Sequence, residues 1–135
     1  MDRIRGIDTK KVVDAATKKA IDLDVNVCIA VVDDGGHLQA FLRMDKAILA
    51  AIDISQKKAK TAAYFGFNSE LLGEGSQPGG PFYGVEISNG GLITFSGGVP
   101  LKNSAGEVCG AIGVSGGQPD QDAAIAQAGA VVLSL

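Results

Sequence analysis

A chain of 135 residues, 46% hydrophobic and 20% charged, can bury one core and is too apolar for a disordered segment. Its net charge of −3, with no basic cluster longer than Lys57-Lys58 plus Lys60, gives no support to a nucleic-acid partner held through several phosphates. No run approaches the roughly 18 apolar residues of a membrane span, and the opening MDRIRGIDTKK has no apolar stretch of the secretory type. The expectation is a single domain over residues 1–135, soluble and cytoplasmic, with no membrane or nucleic-acid partner.

In chain order, Asp8 or Thr9 can cap a helix running to about Leu23, with Val12, Ala16, Ala20 and Leu23 as its apolar stripe. Val25–Val32 is β-branched and apolar on both faces, the pattern of a covered central strand. Asp33-Asp34-Gly35-Gly36 then turns the chain into a second strand, Leu38–Arg43, so the pair predicts an antiparallel hairpin. A second helix fits Ile48 to about Phe65, with Ile48, Ile52, Ser55, Ala59 and Ala62 inward. Lys57, Lys60, Thr61 and Tyr64 share another face by helical spacing. A short helical turn is expected around Ser69–Leu72.

Gly73–Tyr83, rich in glycine and proline, predicts a structured loop or flap. Val85–Ile87, Leu92–Phe95 and Val99–Leu101 read as short strands. The stretch around which the rest is organised is Glu107–Asp122. Its strand would carry Val108, Gly110, Ile112 and Val114 on one face and only Cys109, Ala111 and Gly113 on the other. A face that small admits a helix, another backbone or a flat ligand at close range. Ser115-Gly116-Gly117 turns into a last helix, Pro119–Leu133, where Pro119 suits the first position and Gly129 implies close packing. The fold class is therefore α/β of the α+β type, with an antiparallel sheet of about five strands rather than a doubly wound nucleotide fold. Cys28 and Cys109 sit inside apolar runs with no metal or redox spacing and read as buried free thiols.

Several constellations invite chemistry. Gly113–Gly117 matches the G-x-S-x-G of a nucleophile elbow, but the one histidine, His37, precedes Ser115, and that fold places its histidine last. A structural turn is the plainer reading; an anion cradle at the helix start is the alternative. His37, beside Asp33 and Asp34, is either an exposed turn residue, a metal or haem-iron ligand, or a general base. Arg43 is either a solvated strand end or a carboxylate clamp, and Asp45 either a helix cap or a proton carrier. Lys57, Lys60 and Tyr64 form either a solvated helix face or, near the Gly97-Gly98 turn, a fringe for the carboxylates and ring of a tetrapyrrole. Glu70 and Glu74, one helical turn apart, make a weak cation site.

VVDDGGHLQAFLRMD, ISQKKAKTAAYFGF and SGGVPLKNSAGEVCGAIGVSGGQPDQD, in that order and spanning nearly the whole chain, resemble the GlcG/HbpS family of small haem-binding proteins. That family includes the C-terminal domain of the corrinoid adenosyltransferase PduO and OrfY. The resemblance implies a profilin-like layered fold, and assembly into homodimers and on to tetramers or octamers. It also implies haem or a related tetrapyrrole as cofactor, with a corrinoid as the alternative. Links to iron or redox sensing and to glycolate or diol utilisation follow from the same resemblance. The motif positions are Arg43, Met44, Asp45, Lys57, Gly97, Gly98, Pro100, Gly113, Ser115, Gly116, Gly117 and Asp122, most of them as determinants of fold and assembly. Some members ligate haem through an early histidine. The first helix here has none, which leaves His37 or an oxygen ligand. The adenosyltransferase chemistry of PduO belongs to another domain and is not carried over. The candidate cofactor contacts are thus Arg43, Asp45, Lys57, Lys60, Tyr64, Gly97 and Gly98, with His37 as the candidate metal ligand. The leading expectation is a homo-oligomeric binding protein without catalysis of its own. The alternative is an enzyme or accessory factor acting on a small carboxylate metabolite at a subunit interface.

Overall fold

The computed structural model describes residues 3–134. Four helices and four strands follow one another as α1 (Gly6–Asp22), β1 (Cys28–Asp33), β2 (Leu38–Arg43), α2 (Ala50–Phe65), α3 (Ser69–Gly75), β3 (Gly98–Lys102), β4 (Val108–Ser115) and α4 (Pro119–Ala130). Short 3₁₀ turns at Val85–Ile87 and Val131–Ser134 complete the order. The sheet is antiparallel throughout, in the order β2-β1-β4-β3. It has four strands, not about five.

Residues Val85–Ile87 curl into a 3₁₀ turn, and Leu92–Phe95 forms no strand, with a bend at Phe95. The physical reason is that side chains, not a ladder, satisfy this stretch. Thr61 Oγ1 accepts the Ile93 N–H at 3.1 Å, and Ser69 Oγ donates to the Phe95 carbonyl at 2.7 Å while accepting the Gly98 N–H at 2.9 Å.

The sheet is covered on both faces, as its apolar central strand requires. On one face α1 and α4 bury Val12, Ala16, Ala20, Ile125 and Ala126 against Ile29, Val31, Ile112 and Val114. On the other, Ala59 and Ala62 of α2 lie on Ala30, Val32 and Ala111. The small face of β4 does bring backbone to backbone. A Cβ on Gly113 would fall 2.5 Å from the Ala59 nitrogen and into the Ser55 carbonyl. Gly129 of α4 meets Ile112, Val12 and Ala16 in the same manner. Cys109 departs from the expected alternation. The β3–β4 register shifts between Leu101 and Lys102, which turns Cys109 into the cluster with Ile4 and Leu101. Both thiols are free and buried, and burial pushes each above its ordinary range.

Helix boundaries follow local chemistry. Arg5, not Asp8 or Thr9, is the N-cap of α1; Asp8 sits in the first turn, where its charge meets the helix dipole and Arg5 Nε at 2.9 Å. Helix α2 begins at Ala50, so Ile48 is exposed instead of inward, and Asp45 caps nothing. Helix α4 starts at Pro119 with a reciprocal Gln118–Gln121 capping box. No helix among the described residues is long and apolar enough to cross a membrane.

Candidate functional site

Helix α2 presents two opposite chemistries. Its polar side carries Asp53, Gln56, Lys57 and Lys60 at helical spacing, and these line a groove of about 320 Å³ with Val32, Gly36 and Leu38 of the β1–β2 hairpin. Lys57 Nζ pairs with Asp53 at 2.9 Å, and Lys60 Nζ donates to the Asn89 carbonyl at 2.6 Å. One turn further on, the Tyr64 ring lies against Gly36, where a Cβ would fall 2.5 Å from the ring. Gly36 has φ +82°, so both the turn and the ring contact favour glycine there. The structure therefore gathers Lys57, Lys60 and Tyr64 around the tip of the hairpin that carries His37.

His37 is solvent-exposed, with Nδ1 at 3.2 Å from the buried Asp33 Oδ1. That oxygen also accepts the N–H groups of Gly35 (2.9 Å) and His37 (3.0 Å). With Nδ1–H on the carboxylate, Nε2 is left as a lone-pair donor facing outward, the orientation seen where a carboxylate backs a metal-binding imidazole. Burial pushes the Asp33 carboxyl up, but the two N–H groups and the nearby His37 and Arg3 charges together outweigh it and hold it below the ordinary carboxylate range. A carboxyl depressed in the folded state stabilises fully above its unfolded value and loses that contribution as pH falls through the folded one. Urea unfolding between about pH 5 and pH 3 is expected to show a smaller loss of stability in Asp33→Asn than in the parent, once other carboxylates are matched.

The remaining expected residues lie elsewhere. Arg43 and Asp45 are exposed at the opposite end of β2 from His37. Gly97 and Gly98 do not border the groove. They wrap the far side of α2, where a Cβ on Gly97 would meet Lys58 Nζ at 2.7 Å. Lys58, to which the sequence reading assigned no face, is fully buried. Its Nζ donates to the Val114 carbonyl (2.8 Å) and to Asp122 Oδ2 (3.0 Å), with the Phe95 ring 4.9 Å away. Desolvation lowers its pKa, opposed by the Asp122 charge. The signal was present: Lys58 stands three residues after Ser55 and four before Ala62, on the inward stripe.

Asp122 also explains the glycine turn after β4. Its Oδ1 accepts the Gly117 N–H at 2.9 Å, so a side chain fills the place an anion would take. Ser115 is buried opposite Cys28, whereas Gly110 stands opposite Asp33 at the His37 end of the sheet. The separation along the strand, roughly 17 Å, removes the nucleophile-elbow reading. Glu70 and Glu74 border a shallow cleft with Phe95, and no group of three His, Cys, Asp or Glu suited to a metal occurs among the described residues.

The chain is thus a three-layer fold with a histidine-tipped hairpin and a lysine-lined groove. The chain belongs to the HbpS-like family, described as haem-degrading proteins, whose model matches residues 6–131. Among solved structures it is similar to Klebsiella pneumoniae OrfY, with a TM-score of 0.95 and 34% identity over 99% of this chain and 92% of that one. It is also similar to PduOC in the PduOC–haem complex, with a TM-score of 0.90 and 33% identity over 96% of this chain and 94% of that one. The corrinoid adenosyltransferase PduO of Salmonella typhimurium is 33% identical over 95% of this chain, which spans only 38% of that enzyme.

Proposed function

We propose that this protein binds haem or a related tetrapyrrole as a homo-oligomer, in the groove between α2 and the β1–β2 hairpin. The observation that carries the reading is the groove itself. Lys57 and Lys60 offer charge for a pair of carboxylates, while Val32, Leu38 and the Tyr64 ring offer apolar surface. His37 supplies an outward Nε2 held in orientation by Asp33. The groove lysines fit the carboxylates of the group, while His37, at the tip of the same hairpin and outside the groove lining, is the candidate iron ligand. When bound, haem would supply an iron centre for ligand or redox chemistry; this chain's part is to bind, orient and charge-balance it. The similarity to PduOC, crystallised with haem, supports the same reading. A corrinoid, suggested by the PduO relationship, would use the same apolar and cationic surfaces.

Titration with hemin is expected to give a saturable Soret shift. Replacing His37 with Ala should alter that spectrum and weaken binding by at least about tenfold, the scale on which support of a metal ligand matters. An unchanged spectrum in His37→Ala would remove the histidine as ligand. No Soret shift at micromolar hemin in either redox state would remove the proposal.

A further inference from the structure

Resting on the groove as the ligand site, we infer that it is completed by Arg43 of a second copy, brought there by antiparallel pairing of β2 with β2. Within one copy Arg43 is stranded, five residues and roughly 17 Å along the strand from Leu38 on the groove rim. Strand β2 is nevertheless open to a partner from Ala40 to Arg43, beyond the register shift at Gln39. It is an edge of the sheet, and Leu38–Leu42 contains neither a charge nor a proline. The other edge, β3, is guarded by Pro100. The Met44 N–H bonds to the Val27 carbonyl across β1, so by alternation the N–H and C=O groups of Arg43 and Phe41 point away from the sheet.

The occupant that matches this edge is the same edge rotated by a two-fold axis normal to the sheet. Antiparallel self-pairing supplies a donor for every acceptor. It also sets Arg43 of one copy against the turn end of the other copy's strand, beside the groove rim at Leu38. Registers that overlap the strand place Arg43 opposite residues 37–39 of the second copy. The faces agree as well. Phe41 packs on the α2 side with Ala47 and Ala51, and Arg43, two residues on, shares that side with Lys57 and Lys60. A normal two-fold keeps the α2 sides of both copies together. Each groove then gains a third cation and an added wall, which a pocket near the lower size limit for a drug-sized ligand needs.

Two measurements test this. Ala40→Cys and Phe41→Cys, each introduced singly beside the buried native thiols, place a reporter near the axis for the two registers. Oxidation is expected to link one of them into dimers and to leave Ser104→Cys, at the exposed β3–β4 turn, unlinked. Failure of both to link overturns the pairing. In the second measurement, hemin is titrated into Arg43→Ala, into Lys57→Ala/Lys60→Ala, and into the two co-refolded in equal amounts. Each alone should bind roughly tenfold more weakly. The mixture should regain full affinity at about one site in four, because half the dimers are mixed and each restores one groove. No regain overturns the shared site. A parent protein that ignores hemin overturns the ligand reading and the Arg43 role, while the cross-linking result still decides the pairing.

Discussion

Replacing Lys58 with Met is expected to destabilise the protein by about 3–5 kcal/mol, because the change strands the Asp122 carboxylate in the interior. Lys58 is a three-way tie. From α2 it holds the last turn of β4 through the Val114 carbonyl and the first turn of α4 through Asp122, which in turn holds the Gly117 N–H. Both partners are almost without exposure, at 0% for the lysine side chain and 4% for the aspartate, so solvent screens little of the interaction. Adding Asp122→Leu to Lys58→Met removes the orphaned charge and should cost much less than the sum of the two single changes. It should not restore the parent, since the Val114 carbonyl and the Gly117 N–H then lose their partners at about 1–3 kcal/mol each. Urea midpoints of the four-member cycle measure the coupling. Additive losses would show the pair to be independent.

Gly113→Ala should cost about 3 kcal/mol, the upper end of what overpacking does in a close-packed core. The new methyl would enter the Ser55 carbonyl and approach the Ala59 nitrogen to 2.5 Å, and both are helix backbone that cannot swing aside. The same substitution at Gly6, where nothing lies within 4 Å, is the control and should not destabilise. Equal losses at the two glycines in chemical denaturation would mean that α2 does not rest on β4 as closely as described.

How far the sequence carries the fold depends on whether a segment answers to its own periodicity. Leu38–Arg43 forms a strand over the expected residues, and Val12, Ala16 and Ala20 are the buried stripe of α1. Ala111 and Gly113 mark in advance the side on which α2 packs, because a strand face without bulk admits a helix closely. Leu92–Phe95 misleads because its β-branched residues answer instead to two hydroxyls far away in sequence, Thr61 and Ser69. Lys58 goes unassigned because a lysine beside Lys57 and Lys60 draws no notice, and only the stripe it shares with Ser55 and Ala62 places it inside. The site divides likewise. Lys57, Lys60 and Tyr64 share a helix face by spacing alone. Their meeting with the His37 hairpin depends on how α2 lies across the sheet, and so does the removal of Gly97 and Gly98 to the other side.

The two sulfurs carry a last consequence. Cys28 and Cys109 are enclosed and held as neutral thiols, so neither offers the thiolate through which proteins commonly sense peroxide or exchange disulfides. Thiol reagents and peroxide are thus expected to leave both cysteines unmodified for as long as the sheet stays closed over them.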